Sequence, residues 1–219
     1  MKLYREEVRP VIDLLVDVSP SMSAEPAKAQ RTAELLYFFV LGAQRSGASL
    51  QTTLINGDAF RPVPLEAILS HRWVEEIGGL VSRSPELPPQ LDRVSCRANA
   101  IRIFLSDLLF EGDPSSLLRV LHDRQGTGLI FAPFSKAEAD PDWSGQYDFI
   151  DAEAQTRHPH QIGPAVMERY RETYERHFSF WNDACRRHQV ALSRVTSEED
   201  LFGALNHEAV RLGALEVAR

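Results

Sequence analysis

Short apolar runs of strand length alternate along this chain with longer segments of helical periodicity. The run at 11–16, VIDLLV, is nearly continuous and rich in branched residues, which is typical of a strand buried on both faces. Strands separated by helices predict a mainly parallel sheet that is covered on both faces. The predicted fold class is therefore α/β and Rossmann-like. A length of 219 residues with 43% hydrophobic content predicts a single domain over 1–219.

The other elements follow the same alternation. Asn56-Gly57-Asp58 is a tight-turn signal, so the strand after it should return antiparallel at the sheet edge, where Pro62 and Pro64 are tolerable. Ser197 and Asp200 resemble a capping box for the final helix. Helices are predicted at 26–47, 65–80, 115–124, 162–188 and 197–212, strands at 49–55, 59–64, 100–105, 128–134 and 190–195, and a loop at 82–90.

Charge and cysteine usage exclude several classes of function. The net charge is -7 and the basic residues form no dense block, so neither nucleic acid nor an anionic membrane is an expected partner. Cys96 and Cys185 are far apart and lack metal-ligand spacing, which favours a reducing compartment. The first residues lack a signal-peptide pattern, and no apolar run reaches the roughly 18 to 20 residues of a membrane span. We expect a cytoplasmic protein.

Two predicted strands end in polar side chains. Asp17, Ser19 and Ser21 follow the strand at 11–16, and Ser106-Asp107 follows the strand at 100–105. Ligands of parallel sheets bind beyond the carboxyl ends of the strands, so the two groups should be neighbours if their strands are adjacent. Carboxylate and hydroxyl oxygens are ligands that Mg²⁺ prefers. The sequence predicts a site for Mg²⁺ or Mn²⁺ at Asp17, Ser19, Ser21 and Asp107.

At these residues the chain resembles a known family. A D-x-S-x-S motif after a buried strand, with a later S-D after another, is similar to the metal-ion-dependent adhesion site of the von Willebrand factor A fold. Over 4–216, the chain resembles the bacterial domain of unknown function 58 family. The segments that carry this likeness are LLVDVSPSM, FLSDLLFEGDP, APFSKAEADPDWSGQYDFIDAE, ERYRETYERHFSFW and GAL.

The resemblance implies a non-enzymatic protein-binding module. Its metal would bridge to an exposed Asp or Glu of a partner, and the expected partner is a MoxR-type AAA+ ATPase for which the domain acts as an adaptor. The family site usually includes a Thr between the two motifs, whereas this chain has none between Thr53 and Thr127. Ser82 and Ser95 are the candidate substitutes.

Other interpretations of the same residues stay open. Asp17 could cap the turn while Ser19 and Ser21 bond backbone groups, which would leave a metal-free structural scaffold. An Asp after a buried strand also occurs in metal-dependent hydrolases and phosphatases. Against these enzymes, Ser19 stands where haloacid-type phosphatases carry a second Asp, and no G-x-S-x-G elbow or phosphate-binding glycine loop is present.

Three further features favour structural roles. The segment 140–151 partly matches a calcium loop, but its alternation predicts a hairpin excursion around 138–160 at the rim of the site, with Glu138 and Asp140 solvated or contacting a partner. His158 and His160 are expected in a surface loop. Tyr170, Tyr174, Phe178 and Trp181 share one helix face, as core residues do, while the arginines of that helix should be solvated: Arg169, Arg171, Arg176, Arg186 and Arg187.

Overall fold

A computed structural model describes residues 9–84, 87–152, 156–211 and 213–215. Its strands are β1 Val11–Asp17, β2 Ser49–Asn56, β3 Ala59–Val63, β4 Ile101–Leu105, β5 Thr127–Phe134, β6 Gly145–Ile150, β7 Arg157–Ile162 and β8 Ala191–Thr196. Its helices are α1 Pro20–Ser23, α2 Pro26–Arg45, α3 Leu65–Leu69, α4 Trp73–Gly78, α5 Ser115–His122, α6 Lys136–Ala139, α7 Pro164–Arg187 and α8 Leu201–Leu205. Two single turns of 3₁₀-helix, Leu91–Arg93 and Asp123–Gln125, and a π-helical turn, Asn206–Val210, complete the elements.

Six strands form one sheet in the order β3-β2-β1-β4-β5-β8. All neighbouring pairs are parallel except β2 with β3, which is antiparallel and lies at the edge. The strand β1 is central, with Val16 opposite Leu54 of β2 on one side and Leu105 of β4 on the other. The predicted fold class is confirmed: a mainly parallel sheet with an antiparallel edge strand.

Helices cover both faces of the sheet. Because side chains alternate along a strand, Leu14 and Val16 face one layer and Leu15 the other. On the first face they pack with residues of α2, α3, α4 and α8, and on the second face with residues of α5 and α7. This layered arrangement, with helices on both faces of the sheet, is the one that the sequence predicts.

A polar network fixes the opposite, amino edge of the sheet. Asp13 of β1 is buried, and its carboxylate accepts bonds from the backbone N–H of Arg97 at 2.7 Å and from Arg97 Nε at 2.6 Å. The Arg97 guanidinium also bonds Ser49 Oγ at 2.9 Å, so it joins the starts of β1 and β2. Arg102 of β4 is almost fully buried and donates to the carbonyl of Arg97 at 2.9 Å.

Several predicted elements are wrong in detail. The helix predicted at 65–80 is broken into α3 and α4, because the intervening His71 takes a left-handed conformation with φ 61°. Ser197 does not cap the final helix, since its N–H bonds the Phe134 carbonyl at 2.9 Å and continues the pairing of β8 with β5. Asp200 is the cap, accepting from Phe202 N and Gly203 N. The α-helical part ends at Leu205, and the predicted end at 212 lies outside the described residues.

The hairpin predicted around 138–160 is present as β6 and β7, which pair antiparallel and form their own two-stranded sheet. His158 and His160 lie in β7, so their assignment to a surface loop is wrong, although both are exposed. The helix predicted from 162 begins instead at Pro164, and its arginines are exposed as predicted. Tyr174, Phe178 and Trp181 are buried, which confirms their predicted core role.

None of the helices in the described ranges is long and apolar enough to cross a bilayer.

Candidate functional site

The carboxyl edge of β1 and β4 brings the two predicted motifs together. The strands are adjacent and parallel, so Asp17 at the end of β1 and Ser106 just after β4 lie at the same edge. Ser106 Oγ donates to Asp17 Oδ2 at 2.7 Å, which joins the motifs directly. Pro20 begins α1 immediately after Ser19 and suits a first helical position, so the chain turns sharply there and keeps Ser21 near Asp17.

Asp17 is held by hydrogen bonds to both of its carboxylate oxygens. Its side chain is buried, with 1% of its surface exposed, and Oδ1 accepts the backbone N–H of Ser19 at 2.9 Å. Burial raises the pKa of Asp17 to about 7, and the negative charge of Asp107 contributes in the same direction. The bonds from Ser19 and Ser106 oppose this shift without cancelling it. Burial and the neighbouring Asp107 charge therefore disfavour the ionised form of Asp17.

The two motif serines present adjacent hydroxyl groups. Ser19 Oγ and Ser21 Oγ lie 3.2 Å apart, and both residues are partly exposed. This is the convergence that alternate positions of the motif predict. Asp17 also caps the turn through Ser19 N, so the local geometry fits a structural role and a ligand role equally.

Asp107 completes the predicted set on the β4 side. It is buried, and its Oδ1 accepts the backbone N–H of Leu109 at 3.1 Å. Its other oxygen, Oδ2, forms an ion pair with Lys28 Nζ at 2.9 Å. The backbone N–H of Asp107 lies 3.1 Å from the sulfur of Met22, which fixes the β4 loop against α1.

Two charged residues of the site were not predicted from the sequence. Lys28 lies in the first turns of α2, and its ammonium group is also 2.7 Å from Glu138 Oε2. Glu138 belongs to α6, which follows β5 at the same edge of the sheet. The prediction that Glu138 is solvated is wrong: its side chain is mostly buried, and the ion pair with Lys28 holds it. Its contact with a partner stays a prediction. Asp140 is exposed and pairs with Arg171 at 2.6 Å.

The serines suggested as substitutes for the missing Thr have other surroundings. Ser82 Oγ donates to Asp58 Oδ1 at 2.9 Å, beside the turn between β2 and β3. Ser95 is exposed and lies two residues before Arg97, which binds Asp13 at the amino edge. Replacement of the Thr by either serine stays a prediction.

The side chains of the two motifs offer the kind of ligand atoms that a hard divalent cation binds. Two carboxylates, Asp17 and Asp107, and two hydroxyls, Ser19 and Ser21, supply only oxygen ligands, and Mg²⁺ or Mn²⁺ binds oxygen. Within the described ranges, no three His, Cys, Asp or Glu side chains form a group able to hold a metal. A cation here would consequently depend on the serine hydroxyls and on water for its remaining ligands. The raised pKa of Asp17 marks the group whose charge a cation would compensate.

Fold and site together define a Rossmann-like α/β domain with a polar cluster at the carboxyl edge of its central strands. Among solved structures, the chain is similar to an aerotolerance-related membrane protein from Bacteroides fragilis and to the conserved hypothetical protein BatB from Bacteroides thetaiotaomicron. The TM-scores are 0.46 and 0.49 and the identities 10% and 9%; each likeness covers 94% of this chain and 100% of the other. No family model and no curated protein matches the chain. Membership of the domain of unknown function 58 family stays a prediction.

Proposed function

We propose that this chain is a non-enzymatic protein-binding module with a divalent cation site. Asp17, Ser19, Ser21 and Asp107 would hold Mg²⁺ or Mn²⁺, and an exposed Asp or Glu of a partner protein would supply a further ligand. The observation that carries the proposal is the meeting of the two motifs through the 2.7 Å bond from Ser106 to Asp17. A bound cation would supply an acceptor for the partner's carboxylate, so association would depend on metal and on one acidic side chain.

The geometry favours a binding role for Asp17 over a nucleophilic one. Both of its oxygens accept hydrogen bonds, and the carboxylate is almost completely buried. A carboxylate nucleophile must reach the reacting atom of its substrate. Ser19 and Ser21 are partly exposed, whereas Asp17 is buried, so a partner's side chain could approach the two serines. This arrangement supports recognition in preference to hydrolysis.

The class of partner comes from the family resemblance alone. A MoxR-type AAA+ ATPase is the proposed partner, with this domain as its adaptor. The resemblance supports this assignment through the motif residues and the segments quoted for it, and no contact in the structure specifies an ATPase.

A pull-down with the cognate ATPase tests the proposal. Binding should be lost when chelator is added and restored by Mg²⁺ or Mn²⁺, and Asp17→Asn and Ser19→Ala should reduce it. Asp13→Asn is the matched control, because Asp13 is a buried Asp of the same strand at the opposite edge of the sheet.

Other outcomes identify the alternatives. Binding that survives both chelator and Asp17→Ala would contradict the metal bridge and favour a scaffold with an inactive site. Hydrolysis of a generic phosphate ester that disappears in Asp17→Asn would instead favour the enzyme interpretation.

A further inference from the structure

Lys28 is one of three lysines in the chain, and it is buried within the candidate site. Its Nζ lies 2.9 Å from Asp107 Oδ2 and 2.7 Å from Glu138 Oε2, and only 3% of its side chain is exposed. A buried ammonium group is costly unless it is paired and hydrogen-bonded. Burial alone would lower the pKa of Lys28, but the charges of Asp107 and Glu138 outweigh burial and raise it. The Lys28 ammonium group is therefore paired with two carboxylates inside the site.

Glu138 is fixed beside Lys28 by its own helix. Ser135 caps α6 by accepting Glu138 N at 3.2 Å, and Tyr170 donates to the Glu138 carbonyl at 2.6 Å. One carboxylate oxygen, Oε2, binds Lys28, while Oε1 is buried and has no hydrogen-bond partner among the described residues. The Lys28 ammonium thus joins α6 to the β4 loop through two carboxylates.

The other nearby cation is engaged elsewhere. The positive charge of Arg194 in β8 also acts to lower the pKa of Glu138. The Arg194 guanidinium is, however, stacked on Phe134 and Phe178, at 4.1 and 3.9 Å from their ring centres. It also donates to Tyr174 Oη at 2.6 Å. Lys28 is the cation whose contacts with Asp107 and Glu138 are direct.

We propose that Lys28 is the internal counter-cation of this site and that it competes with a divalent ion for Asp107. The inference rests on the site proposed above and adds a residue that sets its affinity for metal. The Lys28 ammonium holds Asp107 and Glu138 together when no metal is bound, so the edge of the sheet keeps its shape. Its positive charge also repels an incoming cation, so the affinity for metal stays low until a partner contributes a further carboxylate.

Three variants separate charge from packing. Lys28→Met removes the charge and keeps an unbranched side chain, Lys28→Arg keeps the charge, and Lys136→Met removes the charge of an exposed lysine of the neighbouring α6. We would measure the Mn²⁺ dissociation constant by isothermal titration calorimetry and the melting temperature in chelator. Lys28→Met should bind Mn²⁺ at least about tenfold more tightly than the parent and melt at a lower temperature in chelator. Neither control should gain affinity.

The outcomes distinguish this inference from the proposed function. Mn²⁺ binding in Lys28→Met but not in the parent would support the role of Lys28, and metal binding by the parent would then depend on the carboxylate of a partner. Binding in the parent that is equal or weaker in folded Lys28→Met would overturn the role of Lys28 and leave the proposed function standing. Absence of binding in both folded chains would overturn the role of Lys28, and the pull-down in chelator would decide the proposed function separately.

A measurement on the parent chain guards against a variant that does not fold. With ¹⁵N-labelled lysine, the chain should give three ammonium signals, from Lys2, Lys28 and Lys136. Held between two carboxylates, Lys28 should exchange its ammonium hydrogens with water much more slowly than exposed Lys136. Equal exchange rates would show that the ammonium group is not held, and would overturn the inference whether or not Lys28→Met folds.

Discussion

Ser106 donates its hydroxyl hydrogen to Asp17 across 2.7 Å, and this bond joins the ends of the two central strands. The two residues are 89 positions apart in the chain, and neither side chain is significantly exposed. Adjacent parallel strands bring them together, because their carboxyl ends share one edge of the sheet. The candidate site is therefore a direct product of the strand order.

The ionisation of Asp17 should make stability depend on pH in the absence of metal. Its pKa is raised from 3.8 to about 7 in the folded chain, so between these values the folded state binds a proton that the unfolded state has lost. From this group alone, the free energy of unfolding should fall as pH rises from about 4 to 7. The limiting penalty at higher pH is on the order of 4 kcal/mol.

Denaturant unfolding in chelator at pH 5 and pH 8 would measure this effect. Relative to the parent, Asp17→Asn should gain stability as pH rises, because Asn cannot ionise. Groups such as the seven histidines contribute equally to both chains and cancel in the comparison. Parallel profiles for the two chains would contradict the raised pKa of Asp17.

The two buried aspartates of β1 should have separable effects. Asp13→Asn weakens the bonds to Arg97 and should cost about 2 kcal/mol in the free energy of unfolding, while leaving the response to metal intact. Asp17→Asn should abolish that response. In the parent, Mn²⁺ at ten times its dissociation constant should add about 1.4 kcal/mol, or roughly 3 to 6 °C in thermal unfolding. Loss of the metal response in Asp13→Asn would show that the effect is not local to the site.

Two glycines should respond oppositely to replacement by alanine. A Cβ at Gly128 in β5 would lie 2.9 Å from Leu121 Cβ and 2.9 Å from Val190 Cγ2, so Gly128→Ala should destabilise the fold by about 1 to 3 kcal/mol. Gly42 lies within α2 and has open space around its Cβ position, so Gly42→Ala should stabilise by about 0.5 to 1 kcal/mol. Chemical denaturation of both variants measures the two changes in the free energy of unfolding. A Gly128→Ala variant as stable as the parent would show that α5 can move away from β5.

The two thiols should be unreactive in the folded chain. Burial raises the pKa of Cys185 to about 12, and burial is also the main cause of the raised pKa of Cys96. The thiolate is the reactive species, so neither cysteine should react quickly with a disulfide reagent at pH 8. Both should react at once in denaturant. If the folded protein rapidly released one equivalent of the reagent's thiol, one of the two cysteines would be accessible.

The sequence predicted the mainly parallel sheet, its antiparallel edge strand and both motifs of the candidate site, because these features depend on local patterns. An apolar run that ends in Asp17, Ser19 and Ser21 indicates a buried strand with polar groups at its end. Lys28 and Glu138 could not be found in this way. A lysine in an amphipathic helix normally marks the solvated face, and only the tertiary pairing with Asp107, 79 residues away, explains its burial.

The predicted boundaries of helices and strands are wrong where tertiary contacts override local sequence signals. Ser197 is a suitable helix cap, but its N–H is used by the neighbouring strand, so the helix starts after Asp200. His158 and His160 are predicted in a surface loop, yet Pro159 between them lies opposite Asp148 in a strand of a two-stranded sheet, where an unpaired edge tolerates proline. No glycine or proline accompanies the left-handed His71 that separates α3 from α4.

The antiparallel strand β3 also affects how copies of this protein meet each other. Pro62 lies within this edge strand, opposite Thr53, and Pro64 follows it directly. Proline has no amide hydrogen, so the outer edge of β3 offers fewer hydrogen-bond donors than an ordinary strand. A strand of a second molecule would pair poorly there, and natural sheets use such prolines to prevent edge-to-edge aggregation. The sheet is thus protected from fibril-like growth on the side of β3.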